Sequence, residues 1–120
     1  MKESEIKIKI SLDENKVPEQ IHWTAEDAGE RDQKSEAVLI SLWDAEQQNS
    51  LRIDLWTKEM KVDEMKTFFH QTLMAMSDTF ERATGDEKMA DDMRGFCQYF
   101  AEELKFCLLY TSDAADELRS

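Results

Sequence analysis

The chain has 120 residues, 41% of them hydrophobic, and a single proline, which predicts one domain around one core rather than two. Fifteen basic residues against 27 acidic ones give a formal net charge of -12, so a nucleic-acid backbone or an anionic membrane surface would repel it and neither is expected as a partner. No apolar run reaches the length needed to span a bilayer, and the opening Met1-Lys-Glu-Ser-Glu alternates charge where a signal peptide needs an apolar segment, so a cytoplasmic protein is expected.

In chain order, Ser4–Leu12 places Ile6, Ile8, Ile10 and Leu12 on one side and Lys7, Lys9 and Ser11 on the other, the alternation of a strand with one wet face. Asp13-Glu-Asn-Lys16 supplies turn residues. Pro18 suits a strand start or edge, so Gln20–Thr24, with Ile21 and Trp23, is predicted to return as the second strand of a hairpin. Ala25–Ser35 is charged and shows no apolar period, which predicts an exposed connection holding at most a turn of helix. The apolar run Ala37–Trp43 fits a strand or a helix segment, and its length and β-branching favour the strand. After a polar loop, Asp44–Ser50, the alternation of Leu51, Ile53 and Leu55 with Arg52 and Asp54 predicts its hairpin partner, Leu51–Thr57.

The period then changes. Val62, Met65, Phe68, Phe69, Leu73, Met76 and Phe80 recur at helical steps, with Asp63 and Glu64 in the first turn, where the helix dipole favours carboxylates. Thr84-Gly-Asp-Glu87 fits a capping box, with Thr84 as N-cap, and separates this helix from a second one that turns Met89, Met93, Phe96, Cys97, Phe100 and Leu104 inward. The expected fold class is α+β: a four-stranded antiparallel sheet of two hairpins, followed by a two-helix hairpin packed on one face.

Beyond Leu104–Phe106 the helical period stops. Residues 107–120, which include Cys107-Leu-Leu-Tyr-Thr-Ser-Asp-Ala-Ala-Asp-Glu117, resemble the conceptual translation of a transposase adapter used in preparing sequencing libraries, so the natural domain is expected to occupy residues 1–106. Removing that tail leaves the chain acidic. The two cysteines, Cys97 on an apolar helical face and Cys107 in the tail, give no disulfide framework, and Cys97 reads as a small hydrophobe.

Sites for chemistry are sparse. His22 and His70 are the only histidines, and neither has a second histidine or a cysteine at metal-ligand spacing, so no metal or cofactor is expected. Adjacent carboxylates such as Asp91-Asp92 and Glu102-Glu103 diverge by about 100° on a helix and cannot converge on one substrate atom. Nucleophile elbows, phosphate-binding glycine loops and C-x-x-C pairs are missing from the sequence. A non-enzymatic interaction protein is the expectation, and an enzyme built on His70 with an acidic neighbour is the competing one. If Val38, Ile40, Leu42, Leu51, Ile53 and Leu55 face the helices, Leu39, Trp43 and Trp56 remain on the opposite sheet face as candidate partner-binding residues. His70 and Met74, on the helix surface, are the second candidate patch, and self-association through the tryptophan face is the rival use of that surface.

Ser4-Glu-Ile-Lys-Ile-Lys-Ile, Asp13-Glu-Asn-Lys-Val-Pro18, Leu51-Arg-Ile-Asp-Leu-Trp-Thr57, Val62-Asp-Glu-Met-Lys and Phe69-His-Gln-Thr-Leu73 together resemble the gliding motility-associated protein GldC family of Bacteroidetes-type bacteria, as do Asp78–Thr84 and Asp86–Asp91. The resemblance covers about residues 1–106. It implies a small soluble cytoplasmic accessory of the gliding machinery, with partners in that machinery or in type IX secretion and no known catalytic residues. The predicted order of four strands and two helices is also broadly similar to the export chaperone SecB, which gives an alternative, a small chaperone for secretion or motility components.

Overall fold

A computed structural model describes residues 2–104. The described chain is α+β, with all strands preceding two helices: β1 (Lys7–Leu12), β2 (Pro18–Ala25), a 3-10 turn (Glu26–Ala28), β3 (Glu30–Ser35), β4 (Ala37–Asp44), β5 (Asn49–Trp56), α1 (Val62–Thr84) and α2 (Glu87–Leu104). One compact unit runs up to Lys61 and holds the strands, and a second begins at Val62 and holds the helices. The tail, 107–120, lies outside the described residues.

The expected single four-stranded sheet is replaced by two antiparallel sheets, β1-β2-β3 and β4-β5. The extra strand is β3, from the segment expected to be an exposed connection. Its sequence, ERDQKS, has no apolar alternation because the strand has no deeply buried side to reveal: Arg31–Lys34 are exposed. Backbone pairing to β2 builds it, with Ser35 opposite Ile21, Lys34 opposite His22 and Gln33 opposite Trp23. Gly29, at φ 79°, reverses the chain into it, and its N–H donates to the Glu26 carbonyl at 2.9 Å. The register shifts between Trp23 and Ala25, near Asp32 at φ 49°, whose N–H is taken by the Thr24 hydroxyl at 3.0 Å.

The first hairpin forms as its alternation predicts. Ile10 lies opposite Ile21 and Ile8 opposite Trp23, which puts all four on one face, with Ile21 fully buried. Asp13 shapes the turn: its Oδ1 accepts the N–H groups of Asn15 (2.8 Å) and Val17 (3.0 Å), while Lys16 takes the left-handed conformation. The same carboxylate meets the Lys58 ammonium, which ties this turn to the segment leaving β5.

In the helical unit, Gly85 at φ 74° ends α1, its N–H reaching the Glu81 carbonyl at 2.8 Å. The expected Thr84–Glu87 capping box does not form. Thr84 still belongs to α1, where its hydroxyl donates to the Phe80 carbonyl, and Asp86 is the N-cap of α2, accepting the Met89 N–H at 3.0 Å. A glycine after Thr84 lets α1 finish there, which moves the cap two residues on.

The buried seam between the helices also departs from the expected stripes. The fully or nearly fully buried positions are Ser77 on α1 and Ala90, Cys97 and Ala101 on α2, whereas Val62, Phe69, Met76, Met89 and Phe96 are substantially exposed. Small side chains let two helices approach closely, and a count of large apolar residues overlooks them. The Ser77 hydroxyl is satisfied within its own helix by the Leu73 carbonyl at 3.0 Å. Arg94 closes the seam at the hairpin end, reaching Asp78 (2.8 Å) and Glu81 (2.6 Å) on α1 and Asp91 (2.8 Å) on its own helix.

Because Asp86 and not Thr84–Glu87 caps α2, Asp86→Ala is expected to lower stability by about 1 kcal/mol, while Glu87→Ala leaves it within about 0.5 kcal/mol. Urea melts followed by circular dichroism compare the two. Equal losses would restore the capping box.

Candidate functional site

The β4–β5 ribbon carries the sequence-predicted tryptophan site. Its register runs without a shift from Ala37 opposite Trp56 to Asp44 opposite Asn49. The turn is set by Asp44, whose Oδ1 accepts the N–H groups of Glu46 (3.0 Å) and Gln47 (3.2 Å), and by Gln48 in the left-handed conformation. At the open end the Thr57 N–H donates to the Glu36 carbonyl at 2.9 Å, and the buried Thr57 hydroxyl donates to the Glu36 carboxylate.

This register places Leu39, Trp43 and Trp56 on one face, as expected. Trp43 is 63% exposed and Trp56 54%, while Leu39 is half-buried. They do not form one cluster. Trp56 sits across from Ala37, six residues along β4 from Trp43, a separation of about 20 Å at strand rise. Between them the face carries Ser41 and the Arg52–Asp54 ion pair (2.8 Å). The opposite face is wholly aliphatic in its central three pairs, Val38 with Leu55, Ile40 with Ile53 and Leu42 with Leu51. Although expected to be inward, Leu42, Leu51 and Ile53 are each about half exposed. Alternation identified the two faces correctly, but only the folded chain shows that both retain apolar surface.

His70 and Met74 lie on α1. Met74 is exposed, whereas His70 is half-buried at the helix seam with its ring stacked on Phe100, centroids 6.3 Å apart and planes within 13°. Burial pushes the His70 pKa below the ordinary histidine value, and a hydrogen bond with the Cys97 backbone carbonyl opposes that shift. The cross-helix position of His70 follows from pairing with α2, which no local spacing reveals. Sequence reasoning likewise missed the Arg94 cluster and the Asp13–Lys58 pair. The Lys58 ammonium beside Asp13, helped by the Val17 N–H, holds that carboxyl below the usual carboxylate range. Only the Asp91–Arg94 spacing of three residues was a local signal for any of these contacts.

Among the described residues no group of three His, Cys, Asp or Glu side chains is arranged to hold a metal ion, and no helix is long and apolar enough to cross a membrane. Residues 18–106, from the start of β2 to just beyond α2, match the family described as gliding motility-associated protein GldC-like. The chain belongs to the GldC-like family. Comparisons with curated proteins and with solved structures returned no match. The GldC-like match begins after β1 and includes every candidate residue, from Leu39 to Met74.

For His70 the folded state disfavours the proton, so the unfolded chain binds it more readily as pH falls through about 6.5. Stability associated with the neutral ring is therefore present above that pH and declines below it, toward the lowered folded pKa. Urea melts between about pH 7.5 and 5 should show a smaller loss for His70→Gln than for wild type. Parallel loss in both proteins would remove His70 as the source.

Proposed function

We propose that this GldC-like chain is a non-catalytic cytoplasmic adaptor of the gliding motility machinery, engaging a protein partner of that machinery or of type IX secretion through the tryptophan face of the β4–β5 ribbon. The observation that carries this reading is the pair of exposed indoles, Trp43 and Trp56, on one face of an otherwise small ribbon. Tryptophan is enriched among residues that dominate binding energy, since it offers a large rigid apolar area with one hydrogen-bond donor. The Arg52–Asp54 pair between them would orient a partner more than it would hold it, because exposed ion pairs contribute little net energy. Neither the adaptor role nor this reading of the ribbon requires a cofactor.

His70, stacked and half-buried at the helix seam, supports a structural role rather than a catalytic one, since its shift comes from burial and a backbone carbonyl. With Met74 it remains the second candidate contact. A small-chaperone role differs from an adaptor role in breadth: a chaperone captures many unfolded chains, an adaptor a defined few.

Pull-down from a gliding bacterium with wild type, Trp43→Ala and Trp56→Ala tests the proposal. Each substitution is expected to weaken capture of the same few machinery components by about 2 kcal/mol or more, with unchanged circular dichroism. Unchanged capture by both folded variants would exclude the tryptophan face.

A further inference from the structure

Among the described residues β4 pairs only with β5, which leaves its other edge open. The Thr57 N–H reaches the Glu36 carbonyl, so Glu36 and, by alternation, Val38, Ile40, Leu42 and Asp44 turn their backbone groups toward β5. The N–H and C=O groups of Leu39, Ser41 and Trp43 therefore point to the free edge, in register for another strand. Such edges are ordinarily guarded by charge, proline or a bulge. Arg52 and Asp54 place charge on β5, whereas Ala37–Trp43 of β4 has no charge, no proline, no glycine and no register shift.

Spacing and charge select what lies along this edge. Trp43 and Trp56 stand on one face about 20 Å apart, too far for a compact cluster but within the span of a nine-residue extended segment, about 30 Å. One end of a strand added to β4 meets Trp43 directly. The other end lies beside Ala37, whose small side chain leaves the way open to Trp56, two strand spacings or about 10 Å across. From Ser35 to Leu51 the chain has three carboxylates, Glu36, Asp44 and Glu46, and no lysine or arginine. Lys34 faces Glu36 at 3.6 Å, so the turn end, with Asp44 and Glu46, is the more strongly acidic one. Glu36, Val38, Ile40, Leu42 and Asp44 alternate onto one face, so the strand presents three aliphatic side chains between two acids.

We infer that the β4 edge takes, by antiparallel strand addition, an extended segment of a partner protein with basic residues at both ends of nine and apolar residues at the third, fifth and seventh positions. The first residue lies opposite Asp44, the three apolar residues lie beside Leu42, Ile40 and Val38, and the ninth reaches Glu36. Backbone hydrogen bonds to Leu39, Ser41 and Trp43 supply affinity, and the alternate side chains supply selectivity. On the opposite face the second residue lies beside Trp43, and the eighth leans over Ala37 toward Trp56, so one segment engages both indoles. A second β4 in this place would set carboxylate against carboxylate at both ends, on a chain whose formal net charge is -12. That the segment belongs to the gliding machinery rests on the adaptor reading; the strand addition does not.

The probe is the end-blocked peptide Lys-Thr-Val-Thr-Val-Thr-Val-Leu-Lys, titrated into the full chain and followed by tryptophan emission. Saturable binding is expected with a Kd below about 1 mM, and at least about tenfold weaker when glutamate replaces both lysines. Asp44→Asn, which keeps the turn-capping oxygen and removes the charge, is expected to weaken binding about threefold or more. N-methylation of the fourth peptide residue, whose N–H meets Ser41, should abolish binding, while methylation of the fifth, whose N–H points outward, keeps it within about threefold. Ser41→Pro, which removes an outward-facing donor and spares the β4–β5 ladder, should match the first loss with unchanged circular dichroism. No saturable binding, equal binding of the glutamate peptide or equal effects of the two methylations overturns the strand addition. Sedimentation as a dimer that Ser41→Pro dissociates makes a second copy the occupant and overturns it as well. Tryptophan-dependent capture in the pull-down without peptide binding overturns strand addition alone, and peptide binding without such capture overturns the adaptor reading alone.

Discussion

What the β4–β5 ribbon can offer a partner depends on its register, and the register is held at the open end by the two contacts between Glu36 and Thr57. Thr57 is buried and its hydroxyl and N–H both go to Glu36, so a shift would leave two buried donors unmade, at about 1–3 kcal/mol each. A slip of one residue would exchange the tryptophan face for the aliphatic one. The Asp44 turn holds the other end, so the positions of Leu39, Trp43 and Trp56 follow from two short polar motifs.

Each unit buries little. In the strand unit the fully buried hydrophobic residue is Ile21, and in the helical unit burial is concentrated on alanine, serine and cysteine. Such seams bring backbones close but remove little apolar area from water, and the area left outside is that of Leu42, Leu51 and Ile53 on the ribbon and of Phe69, Met76, Met89 and Phe96 on the helices. The family to which the chain belongs is described as gliding motility-associated.

The polar contacts divide the same way. Arg94 fastens α1 to α2 through Asp78 and Glu81, and Lys58 fastens the β1–β2 turn to the end of β5 through Asp13. Both are charge pairs on a chain with a large excess of carboxylates, so each basic residue is placed where it relieves local repulsion. His70 differs in being held by an aromatic ring and a backbone carbonyl.

The sequence alone determined the α+β order, the first hairpin, the β4–β5 ribbon with its two faces and the break between the helices. Each rests on interactions within a few residues or on a period with one buried side: the Asp13 and Asp44 turns, the alternation of Ile8 and Ile10, the stop at Gly85. The family resemblance was also legible in local motifs, and the match to residues 18–106 agrees with it. Tertiary structure alone decided β3, the division into two sheets and the small-residue seam, whereas the Asp86 cap is a local contact three residues long. A strand such as ERDQKS, paired by backbone and wet on its sides, has no side-chain period to announce it. A seam of Ser77, Ala90, Cys97 and Ala101 is chosen by how closely two helices can approach, a quantity that arises only when both are present.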